Sequence, residues 1–228
     1  MRKFVPVLVT VILAGIAATV ALAAPRRPNV TLARAAGLAP ASPGHPQGVR
    51  ISASFGYQGL SPAEQPMLTN IDIWFPKGSV YNGAHEPRCS AHTLRAAGPG
   101  ACPKGSIMGS GGGNAFADTV ITHPKITIVN GGPNVAYFYT VLNNPARVQD
   151  PVPGVITRLH GNYTYHLHIT IPQDLRVVAG VPIKTTLLHI VAGRGKWLEL
   201  TGAPQGVKVV TTFDNGAKIS AQVWLQNT

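Results

Sequence analysis

The stretch VITRLHGNYTYHLHITI, residues 155–171, decides the fold. In its second arm Leu167, Ile169 and Ile171 alternate with His166, His168 and Thr170, the two-residue period of a strand with one buried face. Gly161 and Asn162 separate the arms and suit a two-residue hairpin loop with Gly at its first central position. The spacing predicts strands over 155–160 and 163–171 joined antiparallel, with His160 opposite Tyr163.

The same grammar extends in both directions. Val49, Ile51, Ala53 and Phe55 alternate with polar residues, as do Ile71, Ile73 and Phe75 with Asn70, Asp72 and Trp74. Residues 125–129 and 135–142 are rich in β-branched and aromatic side chains and flank a turn over 130–134. Residues 207–213 and 217–225 flank Asp214, Asn215 and Gly216, a further hairpin signal, and 187–191 reads as a short buried strand. One helix is expected: Ser90 caps it, residues 91–97 propagate it, and Gly98 and Pro99 end it. Eight to ten strands and one helix predict an all-β antiparallel sandwich, jelly-roll or immunoglobulin-like.

Composition agrees with that class. The chain of 228 residues is 45% hydrophobic and only 12% charged, too apolar for a disordered chain. Its 25 Gly and 20 Pro break it into runs too short for a coiled coil or helical bundle.

Arg2 and Lys3 precede an apolar stretch over 4–20, and Ala21, Leu22 and Ala23 supply the small residues of a cleavage site. Residues 1–23 are therefore expected to be a signal peptide. An uncleaved anchor is the rival, because ~20 apolar residues span a bilayer; the cleavage site and the Pro-rich sequence after it favour the signal. After cleavage no transmembrane helix is expected. Residues 24–47, with Pro25, Pro28, Pro40, Pro43 and Pro46, read as a flexible Pro/Ala-rich segment, and 48–228 as a single domain. The expected location is outside the cytoplasm, secreted or associated with the cell envelope.

Export bears on the cysteines. Cys89 and Cys102 are the chain's two cysteines, and in an oxidising compartment they are expected to join as a disulfide that stabilises by about 3 kcal/mol. A redox or nucleophilic thiol is the alternative; the closer Cys-x-x-Cys spacing typical of that chemistry is missing. The formal charge is +11, and loss of Arg2 and Lys3 with the leader lowers it to +9. The cations are scattered singly or in pairs, without the basic runs or aromatic interleaving of a nucleic-acid surface, so nucleic acid is not an expected partner. Weak, salt-sensitive attraction to an anionic cell-wall polymer, a glycan or a lipid surface is.

Chemistry has few candidates. Alternation puts His166 and His168 on one strand face about 7 Å apart, a spacing metal sites use. A third ligand is needed, and His160 falls on the opposite face. The eight acidic residues are spread thinly, which leaves no evident carboxylate pair for acid–base or glycosidic catalysis. Gly109 to Gly113 matches neither a nucleophile elbow nor a phosphate loop, and reads as a small-residue strand or loop against which another element packs closely. Trp74, Tyr137, Tyr139, Tyr163, Tyr165 and Trp224 form a candidate binding face, each also explicable by packing.

Several blocks resemble a group of secreted, uncharacterised actinobacterial proteins. They are Phe75-Pro76-Lys77-Gly78, Cys89, the run from Gly98 through Cys102-Pro103-Lys104-Gly105-Ser106, the 117–122 block, and Thr140-Val141-Leu142-Asn143-Asn144-Pro145-Ala146-Arg147. The similarity spans about 49–197. It implies secretion and carries no activity over. The expectation is a non-catalytic binding or structural module without a cofactor; the alternative is a secreted hydrolase, metal-assisted through His166 and His168.

Overall fold

The computed structural model of the chain describes residues 29–36, 47–58, 60–193, 197–201 and 206–224. The expected leader, 1–23, lies outside these residues. In chain order, β1 (Asn29–Ala36), β2 (Gln47–Gly48) and β3 (Ile51–Gln58) precede β4 (Leu68–Pro76) and β5 (Ser79–Tyr81). Helix α1 (Ala91–Ala97) leads into β6 (Ile107–Ala117), β7 (Val120–Thr122), β8 (Lys125–Gly132) and β9 (Val135–Leu142). β10 (Val148–Arg158) and β11 (Tyr163–Thr170) follow, then a helical turn α2 (Gln173–Arg176) and β12 (Val177–Val178). β13 (Val181–Ala192), β14 (Leu198–Leu200), β15 (Gly206–Phe213) and β16 (Lys218–Trp224) complete the order.

The architecture is antiparallel and mostly β, with few helices. A sandwich divides its strands between two facing sheets; here the main hydrogen-bonded path runs unbroken as β1-β3-β13-β6-β8-β9-β10-β11-β4-β15-β16, with β7 on β6 and β12 on β13. This sheet curls into a half-barrel, and β16 comes alongside β1 from the other end of the path. Alternation in a sequence fixes which face of a strand is buried, but not which strand becomes its neighbour.

The curl is driven by one apolar interior. Ile71 on β4, Phe138 on β9, Ile156 on β10, Leu167 and Ile169 on β11, Leu188 on β13 and Val209 on β15 all belong to one buried cluster. A small sheet, β2-β14-β5, joins that cluster through Leu200 and Trp197 at the end where β4 finishes. At the opposite end α2 inserts Leu175.

Local readings hold where the signal is local. Arg158 faces Tyr165 and Thr157 faces His166, the register that places His160 opposite Tyr163, although β10 ends at Arg158. Ser90 caps α1, its Oγ accepting from the Thr93 amide at 3.0 Å, and Gly98 ends it with φ 72°. Gly216, with φ 78°, closes the β15–β16 hairpin over Asp214 to Gly216, the glycine position of a three-residue loop. In β6, a Cβ on Gly113 would lie 2.0 Å from the Leu187 carbonyl oxygen, so this strand must be small for β13 to approach.

Other readings change. Asn29–Ala36 lies inside the segment read as flexible, yet its backbone pairs with β3; this stretch is free of Pro and finds an open strand edge. The expected strand over 187–191 is the second half of the much longer β13, whose Thr185 and Thr186 conceal the pattern. β10 extends back through Pro151 and Pro153 to Val148. Its register with β11 covers only Gly154 to Arg158, so the two prolines fall where β11 offers no partner.

Candidate functional site

Two places gather side chains in ways that bear on function. The first is on the outer face of β4 and β11. Because Ile71 and Ile73 turn inward, Asp72 and Trp74 turn outward; Leu167 and Ile169 do the same for His166 and His168. The β4–β11 register sets Asp72 opposite His168 and Trp74 opposite His166. One carboxylate oxygen, Asp72 Oδ1, lies 2.8 Å from His166 Nε2 and 2.7 Å from His168 Nδ1. His168 Nε2 contacts Thr170 Oγ1 at 3.0 Å. The His166 ring stacks on Trp74 with centroids 4.7 Å apart and planes 15° from parallel, and Lys208 on β15 places its ammonium 5.0 Å from the Trp74 ring centroid. All three of Asp72, His166 and His168 are half-buried, within reach of solvent.

The two histidines were legible in the sequence as a pair on one face, and the structure adds the third group. Asp72 lies 94 residues from His166. The visible signal was alternation around Ile71, Ile73 and Phe75, which gives its face but not its neighbour.

The second place is the interior, where the curl leaves an apolar cavity of about 120 Å³ beside Ile73, Phe75, Ile156, Trp197 and Val209. Another, about 100 Å³, lies toward α2 beside Leu68, Leu142, Leu175 and Ile183, with Arg176 and Thr185 among its few polar neighbours. Both share Ile71, Phe138, Ile169, Leu188 and Ile190 as walls, so the two chambers abut. An eight-stranded barrel is just wide enough for side chains to fill, and width grows with strand number; an eleven-strand path that curls this far encloses more than its side chains occupy.

The candidate aromatic face is not assembled as one surface. Trp74 lies outside on β4. Tyr137 and Tyr139 share the outer face of β9, where Tyr139 packs in a buried cluster with Leu94 of α1, Val129 and Cys89. Tyr165 turns into the interior with Leu167 and Ile169 and lines the larger cavity, and a register shift in the pairing with β4 falls between it and Tyr163. The side chain of Trp224 lies outside the described residues.

The cysteines Cys89 and Cys102 stand at disulfide distance, S–S 2.02 Å with Cα atoms 5.3 Å apart, and enclose α1. No helix of the described residues is long and apolar enough to cross a membrane. Comparison with protein-family models, curated proteins and solved structures gives no match to this chain.

Proposed function

We propose that the chain is an exported, non-catalytic binding module of the cell envelope that holds an apolar small molecule, such as a short acyl chain, inside the curled sheet. The observation that carries this reading is the pair of abutting apolar chambers. Each approaches the roughly 150 Å³ apolar cavity known to stay dry and take up benzene. Lining of this kind rewards transfer of hydrocarbon from water by about 25 cal/mol per Å² of buried apolar surface. Arg176 beside the smaller chamber suits a ligand whose far end is polar or anionic. The excess of basic over acidic residues supports retention near anionic envelope polymers or lipid headgroups.

The test is uptake of an environment-sensitive naphthylamine dye by the folded chain, followed by competition with fatty acids of increasing length. Saturable uptake, displacement that peaks at short chains, and at least a tenfold loss in Ala136→Val, which narrows the larger chamber, support the reading. Dye binding only near the unfolding temperature, or equal binding by Ala136→Val, rejects it. Recovery of the chain on envelope fractions at low and high salt checks the charge component separately.

A further inference from the structure

We infer that Asp72, His166 and His168 form a binding site for a divalent late first-row transition metal, with zinc the natural occupant. Two neutral imidazole nitrogens and one carboxylate oxygen are a donor set that zinc, cobalt and copper accept, and three protein ligands leave at least one position for water. The three ligand atoms all lie within 4.8 Å of one another. Tetrahedral zinc with bonds near 2.0–2.1 Å needs donor atoms about 3.4 Å apart. The Asp72 oxygen, 2.8 Å from His166 Nε2 and 2.7 Å from His168 Nδ1, must therefore withdraw by about 0.6 and 0.7 Å, and rotation of the two imidazoles sets the separation between their nitrogens.

The surroundings are those of a ligand set held in place. For His168 to bind metal through Nδ1, its remaining proton must sit on Nε2, and Thr170 Oγ1 stands 3.0 Å from that nitrogen to accept it. A partner of this kind fixes the tautomer and ring orientation of a metal-ligating histidine. His166 is held by its stack on Trp74. The backbone beneath all three is paired sheet, with β11 between β10 and β4, and β4 between β11 and β15, so the ligands stand on rigid elements. Binding replaces any proton on His166 Nε2 or His168 Nδ1 with the metal, moving that proton to the other ring nitrogen or to solvent.

Calorimetric titration of the untagged, chelator-treated chain with Zn²⁺ and Co²⁺ tests the site. The expected result is one equivalent bound, with His166→Gln and His168→Gln each weakening binding at least tenfold and His160→Gln, on the hairpin loop, leaving it unchanged. Cu²⁺ locates the ion optically: it quenches tryptophan emission, and the quenched fraction falls in Trp74→Phe, whose emission comes from Trp197 and Trp224. Thermal melts accompany every variant, and Asp72→Asn, close in shape, replaces any histidine variant that does not fold. Binding well below one equivalent, or affinity unchanged in His168→Gln and Asp72→Asn, overturns the assignment.

Discussion

The hydroxyl of Tyr81 donates to Oδ1 of Asn130 across 3.1 Å, joining β5 to the end of β8. Asn130 is fully buried. Its Nδ2 lies within hydrogen-bond reach of the carbonyl oxygens of Gly83, Glu86 and Pro87, at 3.0, 3.2 and 2.9 Å, and its Oδ1 also accepts from the Gly132 amide. Its backbone carbonyl accepts from Cys89 and its amide donates to Ser106. One side chain thus ties the loop that carries the cysteines to the sheet. Removing it strands several buried polar groups, each worth about 1–3 kcal/mol. Asn130→Ala is expected to destabilise by about 3–5 kcal/mol in denaturant unfolding, well above the ~1 kcal/mol typical of a substitution.

Tyr81 also sets an alkaline limit. Burial pushes its phenol well above the ordinary value of 10.0. The folded chain therefore keeps a proton that the unfolded chain releases, so stability is full below about pH 10 and falls as pH rises above it. Unfolding midpoints measured between pH 8 and 11 should decline in the native chain. In Tyr81→Phe that decline should be shallower, from a starting stability about 1 kcal/mol lower because the hydroxyl's hydrogen bond is gone.

Asn130 also shows where sequence reading reaches its limit. In the sequence it opens a turn of Asn, Gly and Pro, and the turn is there. Its role as a buried connector depends on loop residues more than 40 positions away, which no local pattern reports. The outer-face cluster divides the same way: alternation gave the shared face of His166 and His168, while Asp72 came into place only when β4 paired with β11. Hairpins and the capped helix were legible because neighbours in sequence make them. The β3-β13-β6 neighbourhood was not, because a strand's periodicity says nothing of distant partners. Tyr165 lines the interior because it keeps the phase of Leu167 and Ile169, so alternation itself argued against its place on an outer aromatic face.

The cross-link from Cys89 to Cys102 spans 13 positions and encloses α1, whose Leu94 packs on Tyr139 and Val129 outside the main interior. A closed loop of this size stabilises by about 3 kcal/mol through the unfolded chain. Cys89→Ser combined with Cys102→Ser is expected to lower stability by roughly that amount. Because the interior cluster does not depend on α1, amide-exchange protection should drop chiefly over 89–106 and persist along β4, β11 and β15. A uniform loss of protection across those strands would show that the loop supports the whole sheet.

Thr211 faces Ile71 across the β15–β4 pair, and its hydroxyl is buried with no hydrogen-bond partner among the described residues. A hydroxyl desolvated without compensation costs about 1–3 kcal/mol, whereas valine keeps nearly the same shape without the polar atom. Thr211→Val is therefore expected to raise stability by about 1 kcal/mol in the ligand-free chain. Melting curves of the native chain and of Thr211→Val check it, and an equal or lower midpoint in the variant would show that the buried hydroxyl carries no such cost.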